Sequence, residues 1–326
     1  MKTMKAMARD AYCSTDLLRL GDVDRPVAGE GEVLVRVHAA GLDHGVWHVT
    51  TGLPYVVRAA GFGLLRPKNR LLGMDVAGRV EAVGEGVTRF GVGDEVFGTC
   101  EGAFAEYACA RQDRLVPKPA NITFEQAAAT PGSAYTALQG LRGGGEVKPG
   151  SKVLVIGAGG GVGTFAVQLA KAFGADVTGV CGTAKTELVR SIGADEVVDY
   201  TREDFADGRR RYDLILDTGG NRSLSHLRRA LTPRGTLVIV GGERKGRWLQ
   251  GTDRQLRAML LSPFVGQKLC ALMLQESEED LRFLGKAVEE GKVTPVVDRT
   301  YPLGELPEAI RYLRGGQPKG KVVITV

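Results

Sequence analysis

The sequence predicts an α/β protein in which a doubly wound parallel-sheet domain is inserted into a discontinuous strand-rich one, and three observations carry that prediction. Residues 1–120 hold short alternating apolar runs cut by glycine, residues 121–290 alternate strand-like and helix-like segments, and residues 291–326 return to the first texture. A chain of 326 residues also exceeds the usual size of a single hydrophobic core. Two domains are therefore expected, one from 1–120 together with 291–326 and one from 121–290.

In the first zone the runs EVLVRVHAAG (32–41), DVAGRVEAVGEGV (75–87) and GDEVFG (93–98) alternate apolar and polar residues between glycines. That period belongs to strands of a half-buried antiparallel sheet or barrel. In the second zone, Asn121 or Thr123 can cap a helix over Glu125 to Leu141, with Pro131 marking a break. KVLVIGAGGGVGTFAVQLAKAFGA (152–175) reads as buried strand, glycine turn and amphipathic helix. DVTGVCG (176–182), EVVDY, YDLILDTGG (212–220) and TLVIVGG (236–242) read as further strands, and TELVRSIGA as a helix. Strands alternating with helices imply right-handed βαβ units and a parallel sheet. Leu256 to Leu274 is the most apolar stretch, but Arg257, Pro263, Gln267 and Lys268 interrupt it. It falls short of the ~20 apolar residues of a membrane span and is expected to form a buried or interface helix pair. In the third zone, VTPVVDRTYPL, a short helix ELPEAIRYLRGG and the strand KGKVVITV are expected to rejoin the first domain. A cleft between two such domains is where a cofactor and a substrate would meet.

Composition excludes several classes. Apolar and charged fractions of 43% and 25% are those of an ordinary globular protein. The five cysteines, Cys13, Cys100, Cys109, Cys181 and Cys270, are odd in number, scattered and without a CxxC pair. This argues against a disulfide framework or thiolate metal site and predicts a reducing, cytoplasmic setting. The opening MKTMKAMARDAYCSTDLL lacks the apolar block of a signal peptide. The basic clusters 209–211, 228–229 and 244–247 are read as solvated surface, because stacking aromatics are too sparse for nucleic acid.

The segment VLVIGAGGGVG (153–163) is the most specific feature, since it follows a strand and opens a helix. Gly157 and Gly160 permit the tight turn, Gly161 lets the backbone approach a pyrophosphate, and Gly163 allows close packing of helix on strand. The phosphates would sit at the positive end of the helix dipole. An NAD site usually carries Asp or Glu at the end of the second strand, to accept from the ribose 2′-hydroxyl. Here that strand ends in Cys181-Gly182-Thr183-Ala184-Lys185. Thr183 could donate a hydrogen bond to a 2′-phosphate and Lys185 could supply a positive charge, so NADPH is the expected cofactor.

The chain resembles the medium-chain dehydrogenase/reductase superfamily, and within it the zinc-free quinone oxidoreductase-like branch. The resemblance is carried by Gly29-Glu30-Gly31-Glu32-Val33-Leu34-Val35, Gly73-Met74-Asp75-Val76-Ala77-Gly78, Val83-Gly84-Glu85-Gly86-Val87 and Gly93-Asp94-Glu95-Val96-Phe97-Gly98. It continues through the glycine turn, Ser191-Ile192-Gly193-Ala194-Asp195 and Gly320-Lys321-Val322-Val323-Ile324. It implies a GroES-like barrel domain, a Rossmann domain inserted into it, and a homodimer. It further implies cofactor contacts from Thr136, Ala158 through Val162, Tyr200, Thr218 and the Val240-Gly241-Gly242 turn. Zinc-bearing members place Cys where this chain has Asp43 and Gly-His-Glu where it has Gly73-Met74-Asp75; the lobe of four clustered cysteines is also missing. Catalytic zinc needs about three N, S or O protein ligands, so no metal is expected. Asp43, His44 and His48 could hold a metal; the competing reading makes Asp43 a helix cap, with the histidines facing solvent or the cleft.

Without zinc, an already activated acceptor is the expected substrate, with the proton available from water. The resemblance implies that Asp43 and Tyr55 line the substrate site, with Trp47 as a wall between them. Relatives often have Asn in place of Asp43, and an ionised carboxylate accepts hydrogen bonds and would not stabilise an oxyanion. Tyr55 reads equally as an ordinary surface aromatic. The expected function is zinc-independent hydride transfer from NADPH to a small quinone, enone or similar activated carbonyl, without nucleic-acid or membrane partners. The alternatives are an NADPH-binding regulatory or structural protein with little turnover, and a metal-dependent alcohol dehydrogenase. Residues 244–274 could cover the pocket, join a dimer partner, or do both.

Overall fold

The computed structural model describes residues 2–143, 147–241, 248–249 and 251–326, with only the backbone of Ala60. The chain divides into two compact units. One comprises Met1–Tyr135, Glu276–Gly291 and Pro295–Val326, and the other Thr136–Gln275 with Lys292–Thr294.

In the first unit β1 (Thr3–Ala8) pairs antiparallel with β2 (Arg19–Asp24). The long strand β3 (Glu32–Leu42) pairs antiparallel with β4 (Asp75–Val83), which continues to β5 (Glu95–Thr99). Two further strands, β6 (Tyr107–Arg111) and β7 (Leu115–Pro117), pair with β3 and β5. Between β3 and β4 lie α1 (His44–Thr51) and the single turn α2 (Tyr55–Val57). After β7 comes α3 (Phe124–Ala128), closed by a capping box in which Thr123 and Gln126 satisfy each other's backbone N–H. Of the two candidate caps it is thus Thr123 that serves, while Asn121 donates to the Val288 carbonyl at 3.0 Å. Pro131 opens α4 (Pro131–Gly143) as its first residue, which explains the break.

The second unit contains β8 (Lys152–Ile156), α5 (Gly161–Ala172), β9 (Asp176–Cys181), α6 (Thr186–Ser191) and β10 (Glu196–Asp199). It continues with β11 (Tyr212–Asp217), α7 (Leu224–Ala230), β12 (Leu231–Ile239), α8 (Thr252–Leu261) and β13 (Lys268–Ala271). The six strands are all parallel, in the order β10-β9-β8-β11-β12-β13. This is the doubly wound arrangement, whose winding reverses between β8 and β11. Leu154, Val180, Ile215 and Leu237 are buried in its core.

Residues 256–274 correct the expectation of a helix pair. Pro263 and Gly266 end the helical run, and Lys268–Ala271 then pairs with β12 as the edge strand. Pairing along an available sheet edge overrides the helical pattern of so short a segment. The expected turn residue Gly242 and the basic cluster 244–247 lie outside the described residues.

The chain then returns to the first unit through α9 (Glu278–Glu289), β14 (Val297–Pro302), α10 (Leu306–Arg314) and β15 (Lys321–Thr325). Strand β15 runs antiparallel to β3, with Val322 opposite Leu42, and parallel to β14. Val322, Val323 and Ile324 are fully buried, so the terminal strand is core and not edge.

Helix α8 carries Arg254 beneath the carboxyl ends of β11 and β12. Its Nη1 donates to Asp217 at 2.6 Å and its Nη2 to the Gly241 carbonyl at 3.0 Å, and both charged side chains are buried. Asp217 Oδ1 also accepts from the N–H groups of Gly219 and Gly220. One ion pair therefore ties together the loops that follow two neighbouring strands. Removing one partner of a buried pair costs about 3–5 kcal/mol. Arg254→Met should lower the urea-unfolding free energy by that order, with the loss read as a reduced transition midpoint.

Candidate active site

The glycine turn lies at the carboxyl end of β8, at the point where the winding of the sheet reverses. Gly157 has φ +83°, a conformation that side chains rarely adopt, and the N–H groups of Gly157 and Ala158 both donate to the Val180 carbonyl. A Cβ at Gly163 would sit 2.1 Å from the Gly157 carbonyl oxygen, so only glycine lets helix and turn approach this closely. Gly160 is the N-cap of α5. The N–H groups of Gly161, Val162 and Gly163 therefore have no carbonyl within the helix to receive them. Three such donors at a helix start form a cradle that fits a pyrophosphate.

Around that cradle, Thr218 donates to the Ile156 carbonyl at 2.7 Å, and the Val240 N–H donates to the Asp217 main-chain carbonyl. Gly241 is held by Arg254, and Thr136 lies half-buried in the second turn of α4. Beyond β9, burial pushes the Cys181 thiol up, which makes it an inert packing group. The stem of Lys185 lies against the turn, since a Cβ at Gly159 would meet its Cβ at 2.8 Å. Tyr200 stands beside Gly182, with the Arg222 guanidinium 5.9 Å from its ring.

The Thr183 hydroxyl donates to Asp199 Oδ2 at 2.5 Å. Hydrogen bonds from Thr183 and Thr201 hold the Asp199 carboxyl below its usual range. The acid at this lip thus stands at the end of the third strand, where a reading confined to the second strand misses it.

In the first unit, Asp43 precedes α1, but its side chain does not cap the helix. It accepts instead from the Lys321 ammonium at 2.5 Å and from the Ser133 hydroxyl at 3.3 Å. Lys321 is 2% exposed, and its Nζ also lies 3.6 Å from Asp75 Oδ2. Asp75, equally buried, accepts the Gly132 N–H at 3.0 Å on its other oxygen. A Cβ at Gly132 would lie 3.0–3.1 Å from oxygens of both carboxyls, and one at Gly41 would lie 2.9 Å from Asp75 Oδ2. Two glycines thus make room for two acids around one lysine.

Electrostatics separates the two acids. Burial pushes the Asp75 carboxyl well above its usual range, and the neighbouring Asp43 charge pushes it further. Burial works against the Asp43 carboxylate too, but the Lys321 ammonium and its hydrogen bond outweigh it and hold Asp43 below the usual range. Burial likewise opposes the Lys321 charge, which Asp43 and Asp75 more than restore. The consistent state is a neutral Asp75 and an ion pair between Asp43 and Lys321. A proton on Asp75 Oδ2, otherwise a buried oxygen without a donor, supplies a hydrogen bond to Asp43.

Trp47 and Tyr55 have different surroundings. Trp47 lies under the Arg314 guanidinium, 3.7 Å from its ring, in a groove shared with Tyr12 and Cys13. Tyr55 faces Arg58 at 5.0 Å, whose guanidinium also covers Tyr12 at 4.3 Å. His48 Nδ1 is hydrogen-bonded with the Leu53 carbonyl at 2.7 Å, and Met74 is exposed. With Asp43 and Asp75 engaged by an ammonium group, these side chains do not fit a zinc ion. Among the described residues, no group of three or more His, Cys, Asp or Glu converges as a metal site. Lys321 and Asp75 are the residues that sequence reasoning left without a role. The available signal was a charged residue heading each of two apolar runs, KVVI and DVAG.

A doubly wound sheet with a phosphate cradle at its switch point defines a dinucleotide-binding oxidoreductase architecture. Residues 29–120 match the alcohol dehydrogenase GroES-like domain family, and residues 192–324 match a family described as zinc-binding dehydrogenase. The tomato (Solanum lycopersicum) 2-methylene-furan-3-one reductase is 32% identical, over 98% of this chain and 79% of that one. The human quinone oxidoreductase is 30% identical, over 99% of this chain and 98% of that one. Among solved structures, the quinone oxidoreductase from Coxiella burnetii superposes with TM-score 0.86 at 29% identity over both chains in full. A mycobacterial protein complexed with NADPH gives TM-score 0.83 at 27% identity, over 99% of this chain and all of that one. The chain belongs to the medium-chain dehydrogenase/reductase superfamily, in its quinone oxidoreductase-like branch.

The paired acids make a directional prediction. Lys321→Met, which strands the Asp43 charge, should cost about 3–5 kcal/mol of stability. Asp75→Asn replaces one neutral group by another of similar shape and should stay within about 1 kcal/mol at pH 5. The folded-state pKa of Asp75 is raised, so its proton stabilises fully below the unfolded value, near ~4, and that contribution declines as pH rises toward the folded value. Asp75→Asn removes this decline. Urea titrations between pH 5 and pH 8 should therefore show the variant losing less stability than wild type over that window.

Proposed function

We propose that this protein is a zinc-independent reductase that passes hydride from NADPH to a small activated carbonyl compound, a quinone or an enone. The observation that carries this reading is the glycine cradle at the switch point, with Lys185 against it and no carboxylate ending β9. The similarity to a quinone oxidoreductase and to a 2-methylene-furan-3-one reductase supports the acceptor class.

In this reading Gly161, Val162 and Gly163 hold the pyrophosphate, and Lys185 meets the 2′-phosphate beside Tyr200. Thr136, Thr218, Val240 and Gly241 position the remainder of the cofactor. Bound NADPH supplies two electrons and a hydrogen as hydride, and one proton from water completes the reduced product. An enone is activated by its own conjugation, so no Lewis acid is required. Asp43, whose charge Lys321 balances, can only accept hydrogen bonds, so the donor to the developing oxyanion would be water. Trp47 and Tyr55 serve as candidate walls.

A reducing cytoplasmic setting is supported by five unpaired cysteines, and among the described residues no helix is long and apolar enough to cross a membrane. A homodimer is supported by the edge strand β13 together with the exposed Leu260, Phe264 and Met273 around it.

Steady-state kinetics with both nicotinamide cofactors tests the assignment. A charge-assisted contact to phosphate contributes about 1.5–3 kcal/mol. Lys185→Ala should therefore raise the KM for NADPH roughly tenfold or more and barely move that for NADH. Gly182→Asp should shift preference toward NADH, by repelling the 2′-phosphate and accepting from the 2′-hydroxyl. Equal weakening of both cofactors by Lys185→Ala would remove the NADPH assignment. Cofactor binding without consumption across a quinone and enone panel would instead favour a regulatory role. Elemental analysis should find no stoichiometric zinc, and one tightly held zinc lost together with activity would overturn metal independence.

A further inference from the structure

A cavity of about 380 Å³ in the first unit grades from a buried apolar floor to an exposed apolar rim. Leu72 is buried, Val49 and Leu71 are half-buried, and Phe62 and Met74 are 45% and 53% exposed. Large apolar side chains left in water around the mouth of such a cavity mark a place where a ligand's hydrocarbon is buried. The ionic groups bordering it favour no charged ligand. Arg9 donates from Nη2 to the Val49 carbonyl at 2.7 Å, and its Nε and Nη1 are closed off from solvent, so those two nitrogens are not offered to an anion. Lys68 and Glu101 stand at the exposed lip with opposite charges. The space between suits an uncharged, apolar body.

Two walls tie the cavity to the Asp43–Lys321–Asp75 cluster. Val49 belongs to α1, which starts directly after Asp43, and Met74 directly precedes Asp75. Six residues of helix rise only about 9 Å, and consecutive Cα atoms lie about 3.8 Å apart. A short hydrocarbon chain therefore spans from the cavity toward Asp43, which lines the substrate site in the reductase reading.

We propose that this cavity holds the hydrocarbon tail of the acceptor, so that the favoured substrate is a neutral, lipophilic enone or quinone carrying a chain beyond its reacting carbonyl. The tail lies against Leu71 and Leu72 and is covered at the mouth by Phe62 and Met74. Its attachment to an acceptor rests on the reductase reading; the affinity of the cavity for hydrocarbon does not.

Calorimetric titration of the full chain with straight-chain methyl ketones, from butanone to nonanone, separates the two, because these compounds lack the conjugated double bond of an enone. Affinity should rise about threefold per added methylene and level off once the chain outgrows the cavity. Phe62→Ser and Met74→Ser, both at exposed positions, should each weaken nonanone by about threefold or more and leave butanone unchanged. Leu65→Ser, at a position 86% exposed and outside the cavity, should leave the whole series unchanged. With NADPH, the KM for straight-chain enones should fall along the same series while kcat stays nearly constant. Uniform affinity along the ketone series, binding of none, or a rise that both Phe62→Ser and Met74→Ser leave intact would overturn the hydrocarbon site. Enone turnover with a KM independent of chain length would overturn its assignment to the acceptor. Enones left unreduced while the ketones bind as expected would instead remove the reductase reading and leave the hydrocarbon site standing.

Discussion

A lysine ammonium with 2% exposure has to be paid for by its neighbours, and in this protein two carboxyls do so. Lys321 belongs to the last strand, Asp43 follows β3, Asp75 begins β4, and Gly132 and Ser133 come from the start of α4. Four stretches of sequence thus meet at one charge. Two acids and one base would leave a net negative charge in the core if all three ionised. Burial and mutual repulsion resolve this by leaving the proton on Asp75. The result is a neutral cluster with one carboxylate, that of Asp43, half-exposed at its edge and held in a fixed orientation.

Fixed polarity recurs in the second unit by other means. The phosphate cradle is made of backbone, so glycines are required where a Cβ would meet the Gly157 carbonyl or the Lys185 stem. The loops beside it are held by the buried Arg254–Asp217 pair, not by packing alone. In both units the polar groups proposed to meet ligands are oriented by partners deeper in the fold. Preorganisation of this kind keeps the cost of ordering out of the binding step.

Much of this was legible in the sequence, and for identifiable reasons. The strand–glycine–helix run at 152–175 specifies local geometry, so its fold could be read without knowledge of distant residues. The returning texture after residue 291 likewise announced strand β15. Pairing partners across long separations were not legible. Nothing local to Asp43 reveals that Lys321, 278 residues away, takes its carboxylate from the helix it would otherwise cap. Nothing local to Thr183 reveals that Asp199, sixteen residues on, accepts from its hydroxyl once β9 and β10 are paired. The stretch 256–274 carried a helical pattern up to Pro263, and the free edge of β12 decided the remainder. Long-range hydrogen bonding decided each of these points, and hydrophobic periodicity did not.

The central physical claim is that Asp43 and Asp75 share a single proton, held on Asp75, about one charged lysine. Infrared difference spectroscopy of wild type against Asp75→Asn and Asp43→Asn at neutral pH measures this directly. The account predicts a protonated carboxyl C=O band that disappears in Asp75→Asn, together with a carboxylate band that disappears in Asp43→Asn. Two carboxylate bands and no protonated carboxyl in the wild type would contradict it.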